Sequence, residues 1–486
     1  MNKSVAVIGS GIAGIASAIR LKVKGYDVSI FEKNSYPGGK LSEIRQGDFR
    51  FDAGPSLLTL PDLINELFLI SQKNPKNYIE FEKLETSCKY FYPDGTIINA
   101  YSDINQFAQE IENNTLDKKE AIFKYLKNSE NIYNLTSNVF IFRSLHKWSN
   151  YFNKDVVTGI LNLNKVDVFR TMNQANEKLF KDPKTIQLFN RYATYNGSDP
   201  YKAPATLNVI AHLEHNDGAY IAKGGMYQVI KSLIKLAEDI GIDIFYNSSI
   251  EKINIENKQI KGIKVNGENK EFDLVINNMD VINSYKTILK EQKLPKNILK
   301  QEGSSSALIF YWGINQEFKQ LDTHNIFFSD NYKKEFDYLF NEHEIYKDPT
   351  VYIYISSKKN VSDAPKGSEN WFVMINVPYN SGEDWDYLIK KSKKNIIKKI
   401  NSILNTDIEH NIVNENILDP RLIETKTSSY RGSLYGISSN NKYAAFLRHA
   451  NFSHKIKGLY FCGGSVHPGG GIPLSLASAK IVADLI

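Results

Sequence analysis

Three glycines, Gly9, Gly11 and Gly14, stand in G-x-G-x-x-G spacing within "VAVIGSGIAGIASAI", and an acid, Glu32, lies twenty-one residues after Gly11. That set suits a dinucleotide. The first glycine permits a tight turn, the second lets a pyrophosphate approach the backbone, and the third lets helix and strand pack closely. The free amides opening the helix hold the anion, and a carboxylate at Glu32 can take both ribose hydroxyls. Ile12 and Ala13 in the turn, and Lys33 beside the acid, fall in the same expected site. The alternative is a tight βα turn without a ligand. A second glycine cluster nearly closes the sequence: Cys462 to Leu476 reads "CGGSVHPGGGIPLSL" and holds five of the 29 glycines. Gly463, Gly464, Gly471, Ile472 and Pro473 open an apolar helical stretch there, which suits a flat cofactor or a flexible tail.

The elements that must position these turns are readable around them. Val5, Val7 and Ile8 make the short apolar run of a buried parallel strand. Ile15, Ala18, Ile19 and Leu21 follow at helical spacing, and "DVSIFEK" is the next strand, ending in Glu32. "LYFC" before the terminal turn reads as a strand, so strand, glycine turn and helix occur at both ends of the chain. Between them, "KYFYPDGTIINAY" predicts a strand pair turned at Asp94-Gly95. Gly224-Gly225 precedes a helix over Met226 to Ile240, and "ALIFYWGI", "TVYIYISS" and "WFVMINVPY" predict an antiparallel sheet with a Lys-rich helix near Tyr387 to Leu404. The expected architecture is α/β: a Rossmann-like nucleotide domain from residues 1–60, 220–280 and 440–486, a substrate domain with a mixed or antiparallel sheet from 61–100 and 281–439, and a helical, membrane-associating subdomain over 101–219. In that subdomain "NVFIFRSLHKWSNYF" (Asn138 to Phe152) mixes aromatic residues with Arg143, His146 and Lys147, which reads equally as a membrane-facing portal or as a core helix with solvated cations.

Composition narrows the function classes. Apolar residues make up 42% and charged residues 23% of 486 residues, values of a globular chain with room for two or three domains. A net charge of +6 spread over this length leaves no nucleic-acid footprint. Cys88 and Cys462 are the two cysteines, which excludes a disulfide framework and fits a reducing compartment. "MNKSVAVIGSG" reaches its first strand too soon for a targeting segment, and no stretch of about eighteen apolar residues is present. A cytoplasmic protein without a spanning helix is expected. There is no Ser/His/Asp set, no paired carboxylates and no cluster with metal-ligand spacing, so no metal is expected.

Two further stretches choose the cofactor. "NSYPGGKLSE", with Gly38, Gly39 and Lys40, follows Glu32, and then comes "FRFDAGPSLLT". This resembles the flavin-containing amine oxidase and carotenoid desaturase superfamily, and the terminal "GGSVHPGGGIP" resembles the signature of the bacterial-type phytoene desaturase family. The resemblance covers essentially the whole chain, with anchors at Gly9–Gly14, Glu32, Gly38–Lys40, Asp52–Pro55, Gly224–Gly225 and Gly463–Pro473. Lys457, Val466 and Gly470 depart from the family pattern without changing the backbone requirement. Within the family, "YATYNGSDPYKAPATLNVIAHLEHNDGAY" and "GGKLSEIRQGDFRFDAGPSLLT" are most similar to the 1-hydroxycarotenoid 3,4-desaturases of the Bacteroidetes type.

The resemblance implies FAD as cofactor, with Gly54, Pro55, Ser56 and Ile250 added to the residues that hold it. It implies an oxidoreductase acting on CH–CH groups, taking hydride to flavin N5 and a proton from the C-3',4' bond of a 1'-hydroxylated carotenoid such as 1'-hydroxy-γ-carotene. The terminal turn would face the flavin end of the cofactor. Quinone or dioxygen would reoxidise the flavin, and an apolar substrate implies peripheral contact with a membrane surface. Positioning in a dry tunnel would supply most of the catalysis. His467, the titratable side chain of the terminal turn, could orient flavin or substrate, or merely fix the turn. Phytoene desaturation is the nearest rival activity; an FAD amine oxidase and a non-redox flavin isomerase or chaperone are the more distant ones. A hydroxylated end group would need a polar partner deep in the tunnel.

Overall fold

The computed structural model describes residues 3–147, 150, 166–441 and 443–486. Ser4–Ile8 is the central strand of a five-stranded sheet, flanked by Asp27–Phe31 and Leu274–Asn277, with Asp243–Phe245 and Leu459–Phe461 at the edges. All four pairings are parallel. Val5 pairs with Val28 on one side and Leu274 on the other, and Val5, Ala6 and Val7 are fully buried. Covering on both faces explains why this strand is a continuous apolar run rather than an alternating one.

The helix Ile12–Val23 starts at Gly11 and packs back on this sheet through Ile15, Ala18 and Ile19. The last helix, Ile472–Leu485, starts at Gly471, carries Pro473 in its first turn and packs against the first one. Proline is accepted there because the amide it lacks has no partner within the helix. The two ends of the chain therefore meet, and their glycine turns open side by side.

A second sheet of seven strands has the order Ile412–Leu418, Ser306–Ile314, Glu369–Val377, Val351–Ile355, His324–Phe327, Thr86–Phe91, Ile97–Tyr101. The second sheet, expected to be mixed or antiparallel, is mixed: its pairs are antiparallel except that His324–Phe327 runs parallel to Thr86–Phe91. The Asp94-Gly95 turn joins the last two strands, with Gly95 at φ +86°. Ile250–Glu256, Gln259–Val265 and Glu268–Glu271 form a small antiparallel sheet. The Lys-rich helix is Trp385–Leu404.

Of the aromatic and basic segment over 138–152, Trp148, Ser149, Tyr151 and Phe152 lie outside the described residues. Lys147 is exposed, and Arg143 and His146 are half-buried. Among the described residues no helix is long and apolar enough to cross a membrane.

Candidate cofactor and substrate site

The first glycine turn has the strain its spacing anticipates. Gly9 sits at φ +89° and donates its amide to the Phe31 carbonyl at 2.8 Å. A Cβ on Gly14 would fall 2.2 Å from the Gly9 carbonyl oxygen, so Gly14 serves helix–strand contact and does not itself line the cavity beyond. Helix Ile12–Val23 has no side-chain cap and no acid in its first turn. Helix Ile472–Leu485 likewise has neither. Two uncapped helix N-termini opening on one cavity leave unsatisfied amides for an anion.

Glu32 is buried at the end of its strand, and its carboxylate is oriented by groups the motif does not name. Oε2 accepts from the Ser10 amide at 2.9 Å and the Ser10 hydroxyl at 2.7 Å, and Oε1 accepts from the Asn34 amide at 2.9 Å. A carboxylate has about four acceptor positions, so this one is pinned facing the cavity with limited capacity for a ribose hydroxyl. Lys33 lines the same end, donating to the Thr425 carbonyl at 2.7 Å and the Ser428 hydroxyl at 2.8 Å. Burial lowers its pKa, against the raising pull of Glu32.

Gly38 ties the second glycine pair to the first turn by donating to the Ser10 carbonyl at 3.0 Å. Lys40 donates to the Ser433 and Leu434 carbonyls, and burial lowers its pKa to about 8 although Asp280 opposes the shift. A Cβ on Gly54 would stand 1.8 Å from the Lys40 carbonyl oxygen. Gly463, at φ +103°, closes on the Asn278 side chain, whereas a Cβ on Gly471 would meet nothing within 4 Å. The space beside Gly471 belongs to the cavity, not to protein.

That cavity is continuous and measures about 920 Å³, near the upper end of the roughly 300–1,000 Å³ of small-molecule sites. It runs from Glu32 past both glycine turns to Ser87 and His324 on the seven-stranded sheet and to Arg191 beside them, with Ile309, Phe372 and Met374 along its wall. Apart from Gly14 and His467, every residue expected to hold the cofactor or act on substrate lines it. The His467 side chain is buried elsewhere: Nε2 donates to the Arg143 carbonyl at 2.8 Å, and the ring meets the edge of His146 at 5.8 Å.

The far end was not legible as a site in the sequence. Arg191 donates to Glu214 at 3.2 Å, to Tyr195 at 3.3 Å and to Tyr90, and its guanidinium carbon stands 4.5 Å from the Tyr192 ring centre. Tyr192 and Tyr195 also donate to Glu214. Burial works against the Glu214 carboxylate, yet Arg191, His215 and the two phenols hold its pKa below the ordinary value. His324 reaches Tyr352 through Nδ1 at 2.7 Å, and the Tyr352 hydroxyl meets Ser56 at 2.7 Å. The available signal was local: "YATYN" and "HLEHN" place polar groups inside otherwise apolar helical stretches.

This arrangement fits FAD. Two uncapped helix ends and glycine turns that a Cβ would close suit a pyrophosphate and a flat ring, with the pinned carboxylate at the ribose end. A family model described as flavin containing amine oxidoreductase matches residues 12–486. The chain belongs to that family. It is an FAD-dependent oxidoreductase. A 1-hydroxycarotenoid 3,4-desaturase from a Flavobacterium species is 51% identical over 486 residues, covering 100% of this chain and 99% of that one. A 4,4'-diaponeurosporene oxygenase from Staphylococcus aureus is 33% identical over 503 residues, covering 100% and 98%. Among solved structures, a triple mutant of putrescine oxidase superposes with a TM-score of 0.65 at 13% identity, covering 99% of this chain and 98% of that one. At that identity the likeness is one of fold.

Proposed function

We propose that this protein is a carotenoid desaturase that removes a hydride and a proton from the C-3',4' bond of a 1'-hydroxylated carotenoid, lengthening its conjugated chain. The observation that carries the reading is the single cavity joining both glycine turns to the apolar wall of the second sheet. The full-length similarity to a protein named 1-hydroxycarotenoid 3,4-desaturase supports the choice of bond.

Bound FAD supplies the two-electron acceptor for the hydride. The chain supplies placement. Ile309, Phe372 and Met374 offer a polyene an apolar surface, and the burial of Ile309 and Phe372 keeps water from the reacting carbons. The positive φ of Gly463 and Gly471 lets backbone rather than side chains border the ring site. Hydride loss from an allylic carbon leaves charge spread along the polyene, so the remaining proton needs only a weak acceptor. His324, pushed down to about 3 by burial, is a neutral imidazole at this end of the cavity.

The parallel strands come from 1–60, 220–280 and 440–486, which supports reading those segments as one cofactor domain. Reoxidation by quinone or dioxygen and peripheral membrane contact complete the reading, since the substrate partitions into lipid. The test is anaerobic incubation of FAD-loaded protein with 1'-hydroxy-γ-carotene, phytoene and a simple amine. Flavin bleaching is expected with the hydroxylated carotenoid. Bleaching with phytoene alone would remove the 3,4 assignment, and bleaching with the amine alone would remove the desaturase.

A further inference from the structure

The sheet end of the cavity holds two polar atoms that the protein leaves without a hydrogen bond. His324 spends Nδ1 on the Tyr352 hydroxyl, and among the described residues its Nε2 is buried with no partner. Arg191 spends both terminal nitrogens on Glu214, Tyr195 and Tyr90, and its Nε is buried in the same condition. Both residues line the cavity. Buried polar atoms are nearly always paired, because desolvation without a partner is costly. Arg191 and Glu214 lie close enough to act electrostatically on the His324 ring, so one ligand group reaching this end of the cavity could complete both atoms.

The nucleotide has its own groups elsewhere. Both uncapped helix ends belong to helices on the parallel sheet, whereas His324 is on the second sheet and Arg191 follows helix Pro183–Asn190. The chemistry of the missing atom is constrained. Glu214, 3.2 Å from Arg191, already balances the guanidinium, so a ligand carboxylate would add an uncompensated charge. An ammonium would face the Arg191 cation. Burial keeps His324 neutral, able to present either a lone pair or an N–H depending on which way the Tyr352 bond runs. A hydroxyl both donates and accepts, so it can satisfy the Arg191 N–H and either form of His324.

We propose that the Arg191 and His324 end of the cavity receives the hydroxyl of an otherwise apolar polyene, and that His324 is a residue determining specificity for the hydroxylated substrate. The proposal rests on the carotenoid reading above. A site built to bond a hydroxyl penalises the analogue without one, because its own polar atoms then stay unpaired; discrimination of this kind reaches about 10⁴-fold.

The experiment uses FAD-loaded full-length protein and two matched carotenoids, with and without the 1'-hydroxyl. It measures equilibrium binding to the oxidised protein by quenching of flavin fluorescence, and kcat/KM for each. The wild type is expected to prefer the hydroxylated compound by about 100-fold or more, and His324→Phe to lower that ratio at least tenfold. His324→Gln, whose amide reaches the Nε2 position, is expected to restore part of it. A general structural defect would lower both substrates together and leave the ratio unchanged. If His324→Phe fails to retain FAD, Tyr352→Phe reads the same ratio, since it removes only the hydroxyl that orients the imidazole. Retained discrimination in these variants, or equal binding of both carotenoids by the wild type, overturns this inference alone. Binding of neither overturns the carotenoid reading and takes the inference with it.

Discussion

Gly14 lies so close to Gly9 that a Cβ on the former would stand 2.2 Å from the carbonyl oxygen of the latter. The obstacle is backbone, which cannot swing aside. Gly14→Ala is therefore expected to separate helix Ile12–Val23 from its strand, at about 1–3 kcal/mol as for other overpacked sites, and to yield flavin-poor protein. Gly11→Ala meets only the tip of the Asn278 side chain at 2.8 Å. It should keep more flavin and a higher Tm than Gly14→Ala; the reverse order would contradict the assigned roles.

Gly471 poses the opposite case. Its Cβ would enter open space, and its φ of +100° strains any other residue. Gly471→Val should fold, with near-native circular dichroism, but lose flavin at least tenfold because the isopropyl group occupies the cavity. The strain itself adds about 1–2 kcal/mol of destabilisation. Purified Gly471→Val with a full complement of flavin would show that this turn does not border the cofactor.

The buried pair of Arg191 and Glu214 gives a stability prediction. Glu214→Ala leaves the guanidinium uncompensated in a buried site, at a cost of about 3–5 kcal/mol. Adding Arg191→Met to that variant should recover part of the loss, because the stranded charge goes with it. Urea denaturation of both single variants and the double measures the coupling, and strictly additive losses would argue against an interacting pair.

Acid should destabilise the fold before most carboxylates titrate. Burial lowers the pKa of His324 to about 3 and those of His215 and His449 to about 4, from 6.5. Below about pH 6.5 the unfolded chain takes up protons at these positions that the folded chain refuses. The unfolded state then binds more protons, so stability rises with pH: the contribution is complete above 6.5 and is lost as pH falls toward 3–4. Each group approaches a slope of about 1.4 kcal/mol per pH unit in that window. Tm profiles of wild type and His449→Gln compare the slopes directly; parallel profiles would mean that His449 titrates normally in the fold.

How much of this was readable beforehand follows from the range of the interactions involved. Gly9, Gly11, Gly14 and the terminal Gly463–Pro473 turn are local features. Their backbone conformations and the helices they open depend on neighbours within a few residues, so spacing alone announced an α/β nucleotide fold with a glycine turn at each end. Sequence left the second sheet as mixed or antiparallel, because the parallel pairing of His324–Phe327 with Thr86–Phe91 joins segments far apart in the chain that only long-range packing brings together. His467 shows the converse limit. It sits inside the terminal signature, yet its imidazole turns to the Arg143 carbonyl and away from the cavity. Arg191, Glu214, His324 and Tyr352 come from four segments with no shared motif, and their chemistry arises from mutual burial. Sequence by itself determined the turns, because a turn is written in consecutive residues. Tertiary structure decided the polar end of the cavity, because desolvation and pairing exist only once distant segments have packed together.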